Sequence, residues 1–182
     1  MRLAVRNSTD VDAQLALIKE SAERAARNLK KLFALSPMEL FWQAKFNRIG
    51  LDPIELHSTN LVEQIHQLWT HVAALEASRI LLTKHPSSGA MKLAPGAHKW
   101  QPLDIMSEDG QVGAEVFATV HPANNKKLER DIEKLSREVG KLYIFFMSPK
   151  YPNTAKLEDK PKHKGVEVWS LEKPTWLAAP PR

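Results

Sequence analysis

Between Ser8 and Leu35 the apolar residues Leu15, Ile18, Ala22, Ala25, Leu29 and Leu32 return at steps of three and four, with charged residues between them and neither Gly nor Pro. That spacing places them on one helical face, so the segment predicts a long amphipathic helix with Ser8, Thr9 and Asp10 as N-cap candidates. The stripe has two uses open to it: packing on the rest of the domain, or a seam with a second copy of the chain. Two alanines among the six positions make a weak coiled coil. Ser36-Pro37 stops this helix and can start another, from Met38 to about Arg48, expected to bury Leu40, Phe41, Trp42 and Phe46. After the turn Ile49-Gly50-Leu51-Asp52-Pro53, Asn60 and Glu63 form a capping-box pattern ahead of Leu61, Ile65, Leu68, Val72, Leu75 and Leu82. A second long helix is therefore expected, closing near His85-Pro86.

Beyond the loop Pro86-Ser87-Ser88-Gly89 the pattern changes. Ala90 to Ala94 reads as a short strand. Two strand-like runs, Lys99 to Ser107 and Gln111 to Val120, then flank Glu108-Asp109-Gly110. Asp-Gly between such runs predicts a hairpin with a two-residue primed turn, because Gly takes positive φ without penalty. A helix starting near Ala123 to Asn125 and ending before Gly140 should bury Leu128, Ile132, Leu135 and Val139. Lys126, Lys127, Arg130, Lys134 and Arg137 are left to its other faces. The run Leu142 to Met147 has little polar interruption and reads as a strand covered on both faces. Lys156 to Lys164 reads as a charged loop, Gly165 to Ser170 as an edge strand, and residues 173–182 as a Pro-rich tail.

Within the hairpin, Asp104 and Glu115 interrupt otherwise apolar strands: Leu103 and Ile105 flank one, Ala114 and Val116 the other. In compatible register the two carboxylates meet across the ladder on one sheet face. Like charges so placed cost stability, which a divalent cation would offset. The alternative for each is an exposed strand carboxylate near a turn.

The chain has 182 residues, 26 basic against 21 acidic, a formal charge of +5 and no cysteine. One domain with a sizeable core fits that length. Disulfides and thiolate metal sites are excluded, so any metal must use carboxylate, carbonyl, imidazole or water. The seven histidines show no His-x-x-x-His or His-Glu-x-x-His spacing, although His98 and His121 flank the carboxylates and suit proton donation or positioning of water. Phosphate-binding Gly loops, dinucleotide fingerprints and nucleophile elbows are absent. No apolar run approaches the roughly 20 residues that span a bilayer, and the first residues carry no apolar signal-peptide core. The expectation is a cytoplasmic protein without membrane contact, whose basic excess favours a polyanionic partner.

The order helix, strand, Pro-Leu-Asp strand, hairpin, Glu-Val-Phe strand, helix, strand over Asn60 to Met147 resembles the core of the PD-(D/E)XK nuclease superfamily. The resemblance implies an α/β fold with a restriction-endonuclease-like mixed central sheet flanked by helices. The N-terminal helical extension would then span residues 1–50 and the nuclease-like core residues 51–172. It also implies magnesium or manganese held by Asp104 and Glu115, DNA as substrate, and the additional glutamate that such nucleases often carry on the first core helix, for which Glu63 and Glu76 are the candidates. For Glu63 the alternative is the helix cap; for Glu76 it is a solvated face. Phe117 stands where the family has its catalytic lysine, and a phenyl ring can neither carry charge nor orient water. Lys99, Lys126 and Lys127 are the candidates to replace it, Lys126, Lys127 and Arg130 also being candidate DNA contacts. If none does, the domain binds nucleic acid or protein and cleaves nothing. A third class, an adaptor that dimerises through the N-terminal helix, predicts a stable oligomer and no salt-sensitive DNA binding.

Overall fold

The computed structural model describes residues 3–52, 54, 57–94, 101–138, 140–157 and 165–177. In chain order the elements are β1 (Leu3–Val5), α1 (Ser8–Leu32), α2 (Pro37–Phe46), β2 (Gly50–Leu51), β3 (Ser58–Thr59), α3 (Leu61–Lys84), β4 (Met91–Leu93), β5 (Ile105–Ser107), β6 (Val112–Ala118), α4 (Lys127–Leu135), β7 (Lys141–Met147), β8 (Ala155–Lys156) and β9 (Val166–Leu171). Seven strands form one mixed sheet in the order β1-β4-β5-β6-β7-β9-β8, and β2 pairs with β3 apart from it. β6, β7 and β9 run parallel; the remaining pairs of the large sheet are antiparallel. The N-terminal fifty residues, expected as a helical extension, also supply β1, an edge strand of this sheet.

Alternation along the strands divides the core into two layers. Ile105, Val112, Ala114, Val116, Tyr143 and Phe145 join Val11, Leu15 and Ile18 of α1 and Val72, Leu75 and Leu81 of α3 in one cluster. Leu103, Phe117, Leu142, Ile144, Phe146 and Val168 meet Leu128, Ile132 and Leu135 of α4 in the other. α3 therefore has neighbours on two sides, and its middle, from His71 to Leu75, is buried without a gap. β7 lies between β6 and β9 and is covered on both faces, as its unbroken apolar run requires.

α1 starts one residue earlier than its expected caps: Asn7 is the N-cap, its side chain accepting from the Asp10 N–H at 2.9 Å. The apolar stripe is buried within the chain from Val11 to Ala25, against α3, while Leu29 and Leu32 are half-buried. A small polar knot fixes the pairing: Gln64 Nε2 donates to Ser21 Oγ at 2.9 Å, the Leu51 N–H donates to Gln64 Oε1 at 3.2 Å, and Ser21 Oγ donates to the Leu51 carbonyl. Gly50 lies against Gln64 so closely that a Cβ there would stand 1.8 Å from Gln64 Oε1.

Three local expectations are corrected. α2 does not bury its aromatic residues: Phe41 is 67% exposed and Trp42 60%, Phe46 is also exposed, Leu40 is half-buried and Ala44 alone is buried. α1 and α3 cover each other, so α2 has only a narrow contact left to make. The hairpin turn is not primed: the Gly110 N–H donates to the Ser107 carbonyl at 3.1 Å, and positive φ falls on Gly110 alone in this loop. Asp109 keeps negative φ because its Oδ1 accepts from Ser107 Oγ at 2.6 Å and the Gln111 N–H at 2.9 Å. Finally, β9 is not an edge strand, since β8 pairs along its outer side. Val139 and most of the charged loop, residues 158–164, lie outside the described residues.

Deleting a buried leucine removes its transfer energy and leaves a cavity, whereas an exposed ring contributes little. Leu135 is fully buried under the sheet and Phe41 is not. Urea unfolding should therefore show Leu135→Ala losing about 2 to 5 kcal/mol and Phe41→Ala under about 0.5 kcal/mol. Comparable losses at both would mean that the α2 aromatic residues are packed as firmly as the α4 stripe.

Candidate active site

The β5–β6 register pairs Ile105 with Ala114 and Met106 with Gly113. Asp104 stands in a bend one residue before this ladder and Glu115 one residue beyond its last pair, so the two come close, while Glu115, within β6, projects to one sheet face. That face is the one α4 covers, because Phe117, two residues beyond Glu115, belongs to the α4 cluster. Asp104 itself precedes β5, and two backbone contacts hold it in line: its carbonyl accepts from the Ala94 N–H at 2.8 Å, and its Oδ2 accepts from the Val116 N–H at 2.8 Å. Gly113 makes room beneath, since a Cβ there would stand 2.4 Å from Leu103 Cδ1. Both carboxylates are buried, Asp104 at 8% exposure and Glu115 at 3%.

α4 brings the counter-charge. Lys134 Nζ lies 2.7 Å from Glu115 Oε1, and Lys127 Nζ lies 2.6 Å from Asp131 Oδ1. Lys127, Asp131 and Lys134 follow one another at steps of four and three, so they form a polar line beside the buried line Leu128, Ile132 and Leu135. The Lys127 ammonium also sits 5.5 Å from the centre of the Phe117 ring. Burial pushes the Glu115 carboxyl up to about 7, with the Asp104 charge adding to the rise and Lys134 opposing it. Asp131 is raised by burial too, against the pull of Lys127, and its Oδ2 has no hydrogen-bond partner among the described residues.

Of the other candidates, Glu63 serves the α3 cap: its N–H donates to Asn60 Oδ1 at 2.9 Å and its Oε2 accepts from Thr59 Oγ1 at 2.6 Å. Glu76 pairs with Arg79 at 3.1 Å. Both stand on α3, which packs on the other sheet face, so neither joins Asp104 and Glu115. Lys126 is not in the first turn of the helix but precedes it with left-handed φ of 53°, after Asn125 at 54°. Arg130 Nη2 donates to the Asn125 carbonyl at 2.8 Å and is exposed, as is Lys126. Lys99 and His98 lie outside the described residues. His121 accepts from the Ala123 N–H through Nδ1 at 3.1 Å.

Lys134 was not among the expected site residues, all of α4's basic residues having been given to faces away from the core. Its signal was available in the steps from Lys127 to Asp131 to Lys134, which run directly beside the apolar stripe and so share its orientation toward the sheet. The sequence marks the stripe; only the packing angle of α4 decides which flank reaches Glu115.

Among the described residues no three His, Cys, Asp or Glu side chains converge. The donor set here is thus two carboxylates, which fits magnesium, a cation that takes one or two carboxylates and fills its shell with waters and phosphate oxygens. No family model, curated protein or solved structure matches the chain.

The Glu115 shift makes a stability prediction with a definite sign. Its carboxyl titrates at about 7 when folded against 4.5 as an ordinary glutamate. Between those values the folded state holds the proton that the unfolded state has released, so stability is full below about 4.5 and falls as pH rises through about 7. At about 1.4 kcal/mol for each pH unit of difference, the loss is on the order of 3 kcal/mol. Glu115→Gln removes it, so the gap in unfolding free energy between variant and wild type should widen in the variant's favour from pH 4.5 to pH 8. A constant gap would show that burial does not hold this carboxyl protonated.

Proposed function

We propose that this protein is a metal-dependent nuclease of the restriction-endonuclease-like fold, in which lysines carried by α4 do the work of the lysine that Phe117 replaces. The observation that carries the reading is that Asp104 and Lys134 both stand close to Glu115, with Lys127 lying over the Phe117 ring. The fold reading is supported by the strand order β4-β5-β6-β7, two antiparallel pairs followed by a parallel pair across α4.

Asp104 and Glu115 would hold the cation. Bound there, magnesium supplies charge neutralisation at a phosphate and a more acidic water. The chain's own residues supply the rest. Two buried carboxylates that repel each other are poised to accept a cation, because binding offsets both the burial that raises Glu115 and the Asp104 repulsion that adds to it. Lys134 and Lys127 set two ammonium groups at the same face, one 46% exposed and the other 39%, so each can turn from its carboxylate toward a phosphate. In that position an ammonium stabilises the negative charge that grows on the phosphoryl oxygens as the bond breaks. Lys126 and Arg130 lie exposed near the start of the same helix, where flanking phosphates would pass.

A second reading has its own observation. Lys134 is already paired with Glu115 and Lys127 with Asp131, so the face is internally neutralised in the manner of a binding module that has lost its chemistry. Cleavage separates the two. The nuclease reading expects purified protein to cut DNA with magnesium or manganese, and Asp104→Ala or Glu115→Ala to abolish cutting with the circular dichroism spectrum unchanged. Lys134→Ala or Lys127→Ala should cost on the order of 100-fold or more in rate, the usual effect of removing one group that stabilises transition-state charge. Phe117→Lys placed in the slower of these two variants should restore part of the loss. Absence of metal-dependent cutting by the wild-type chain would leave the binding module.

A further inference from the structure

The parallel strands β6 and β7 end at a cavity of about 820 Å³ whose walls are Ile65, Trp69 and Met147, with His66, Asn124 and Lys173 around them. Its size is that of small-ligand sites, which combine apolar walls with a few polar groups that fix orientation. It also lies close to the carboxylate face: Ala118, part of its lining, is three residues along β6 from Glu115, about 10 Å at ~3.3 Å per residue. Ala118 projects toward α3 and Glu115 toward α4, so the cavity and the carboxylates stand on either side of the same strand end.

We propose that this cavity is a base-binding subsite: it takes one nucleobase of the polynucleotide whose phosphodiester lies at Asp104 and Glu115, with Lys173 on an adjoining phosphate. The inference rests on the nuclease reading for the identity of that polynucleotide. Three features select the occupant. Trp69 is half-buried and supplies an indole to the wall, and bases bind to aromatic side chains by stacking without regard to sequence. The side chains of His66, Asn124 and Lys173 make no hydrogen bond or ion pair among the described residues, whereas the hydroxyls of Thr119 and Ser148 are already engaged with the carbonyls of His121 and Val120. Imidazole and carboxamide match the donors and acceptors on a base edge. Lastly, no carboxylate is among the lining residues that the structure describes, and Lys173 adds a positive charge to them. A flat ring with polar edges and an attached phosphate meets all three conditions; a purely apolar ligand uses only the wall, and a cationic one is opposed by Lys173.

The test uses the full chain carrying Asp104→Asn, which removes cutting, and a single-stranded DNA oligonucleotide with one 2-aminopurine, titrated in the presence of magnesium while fluorescence is read. The reporter should be quenched on binding. Adding Trp69→Leu should abolish the quenching and weaken binding about tenfold or more, as loss of one base stack does. Lys173→Ala, at an exposed position, should leave the quenching and lower the salt slope by about one. Asn124→Ala, also exposed, should weaken binding while leaving thermal unfolding unchanged. Unchanged quenching and affinity in both Trp69→Leu and Asn124→Ala would overturn the proposal. So would adenosine monophosphate binding as tightly as the oligonucleotide, which would make this a site for a free nucleotide. The outcomes separate from those for cleavage: Trp69-dependent quenching in a wild-type protein that never cuts would refute the nuclease reading and keep the subsite. Cutting with no Trp69 effect would do the reverse.

Discussion

A carboxylate in the middle of a buried strand is an unfavourable thing to build, and Glu115 is one. β6 is buried from Val112 to Phe117, with α3 over one face and α4 over the other. An ionised side chain there must be paired or give up its charge. Here both responses are visible: Lys134 reaches in from α4, and the carboxyl titrates near 7. Asp104 makes the situation worse rather than better, since its own negative charge lies close by. A sheet built for stability alone would carry an apolar residue at either position. That the two carboxylates lie close to each other, and that a backbone N–H is directed at Asp104 Oδ2, is the feature from which the functional reading follows.

The two layers of the core have different tasks in this arrangement. On the α3 side the packing is apolar and extensive, with a helix that is itself sandwiched between α1 and the sheet. This rigid layer fixes where β5 and β6 lie. On the other side α4 is short, nine residues, and a charged line runs beside its buried one. Leu128, Ile132 and Leu135 anchor it, while Lys127, Asp131 and Lys134 cover Glu115 and Phe117. Phe117 is part of that anchoring, stacked on Phe146 with ring centres 5.8 Å apart. A lysine at this strand position would have to carry its charge out past the same ring-lined wall. Placing the charge on the helix leaves the strand position free for packing.

How much of this could be read beforehand depended on the range of the interaction involved. That Asp104 and Glu115 come close was legible because a short loop limits the register, but Asp104 was expected on a strand and stands in a bend before β5. The turn type was not, since Asp109 accepts two hydrogen bonds locally and keeps negative φ, which leaves Gly110 alone with the positive φ of a turn that is not primed. The α4 stripe was legible from its period, but the residue that meets Glu115 was not: periodicity gives a helix's buried line without its rotation against a particular strand. α2 misled for a related reason. Phe41, Trp42 and Phe46 are apolar enough for a core, yet burial needs a free surface to receive them, and α1 and α3 had already taken each other's.

The topology also explains why the carboxylates and the cavity stand so near one another. In open sheets with parallel strands, ligands gather beyond the carboxyl ends of the strands, where loops diverge to either face. β6 and β7 are such a pair, joined through α4. After Ala118 the chain turns toward α4, through Asn125 and Lys126 in left-handed conformations that cost of order 1 kcal/mol or more each. That turn places Asn124 on the cavity side of the strand end and Lys127 on the carboxylate side, within four residues of sequence. A chain crossing the end of β6 would meet the lysines of α4 first and the indole of Trp69 next. The strained turn is therefore best understood as the hinge of the geometry: relaxing it would move one group set away from the other.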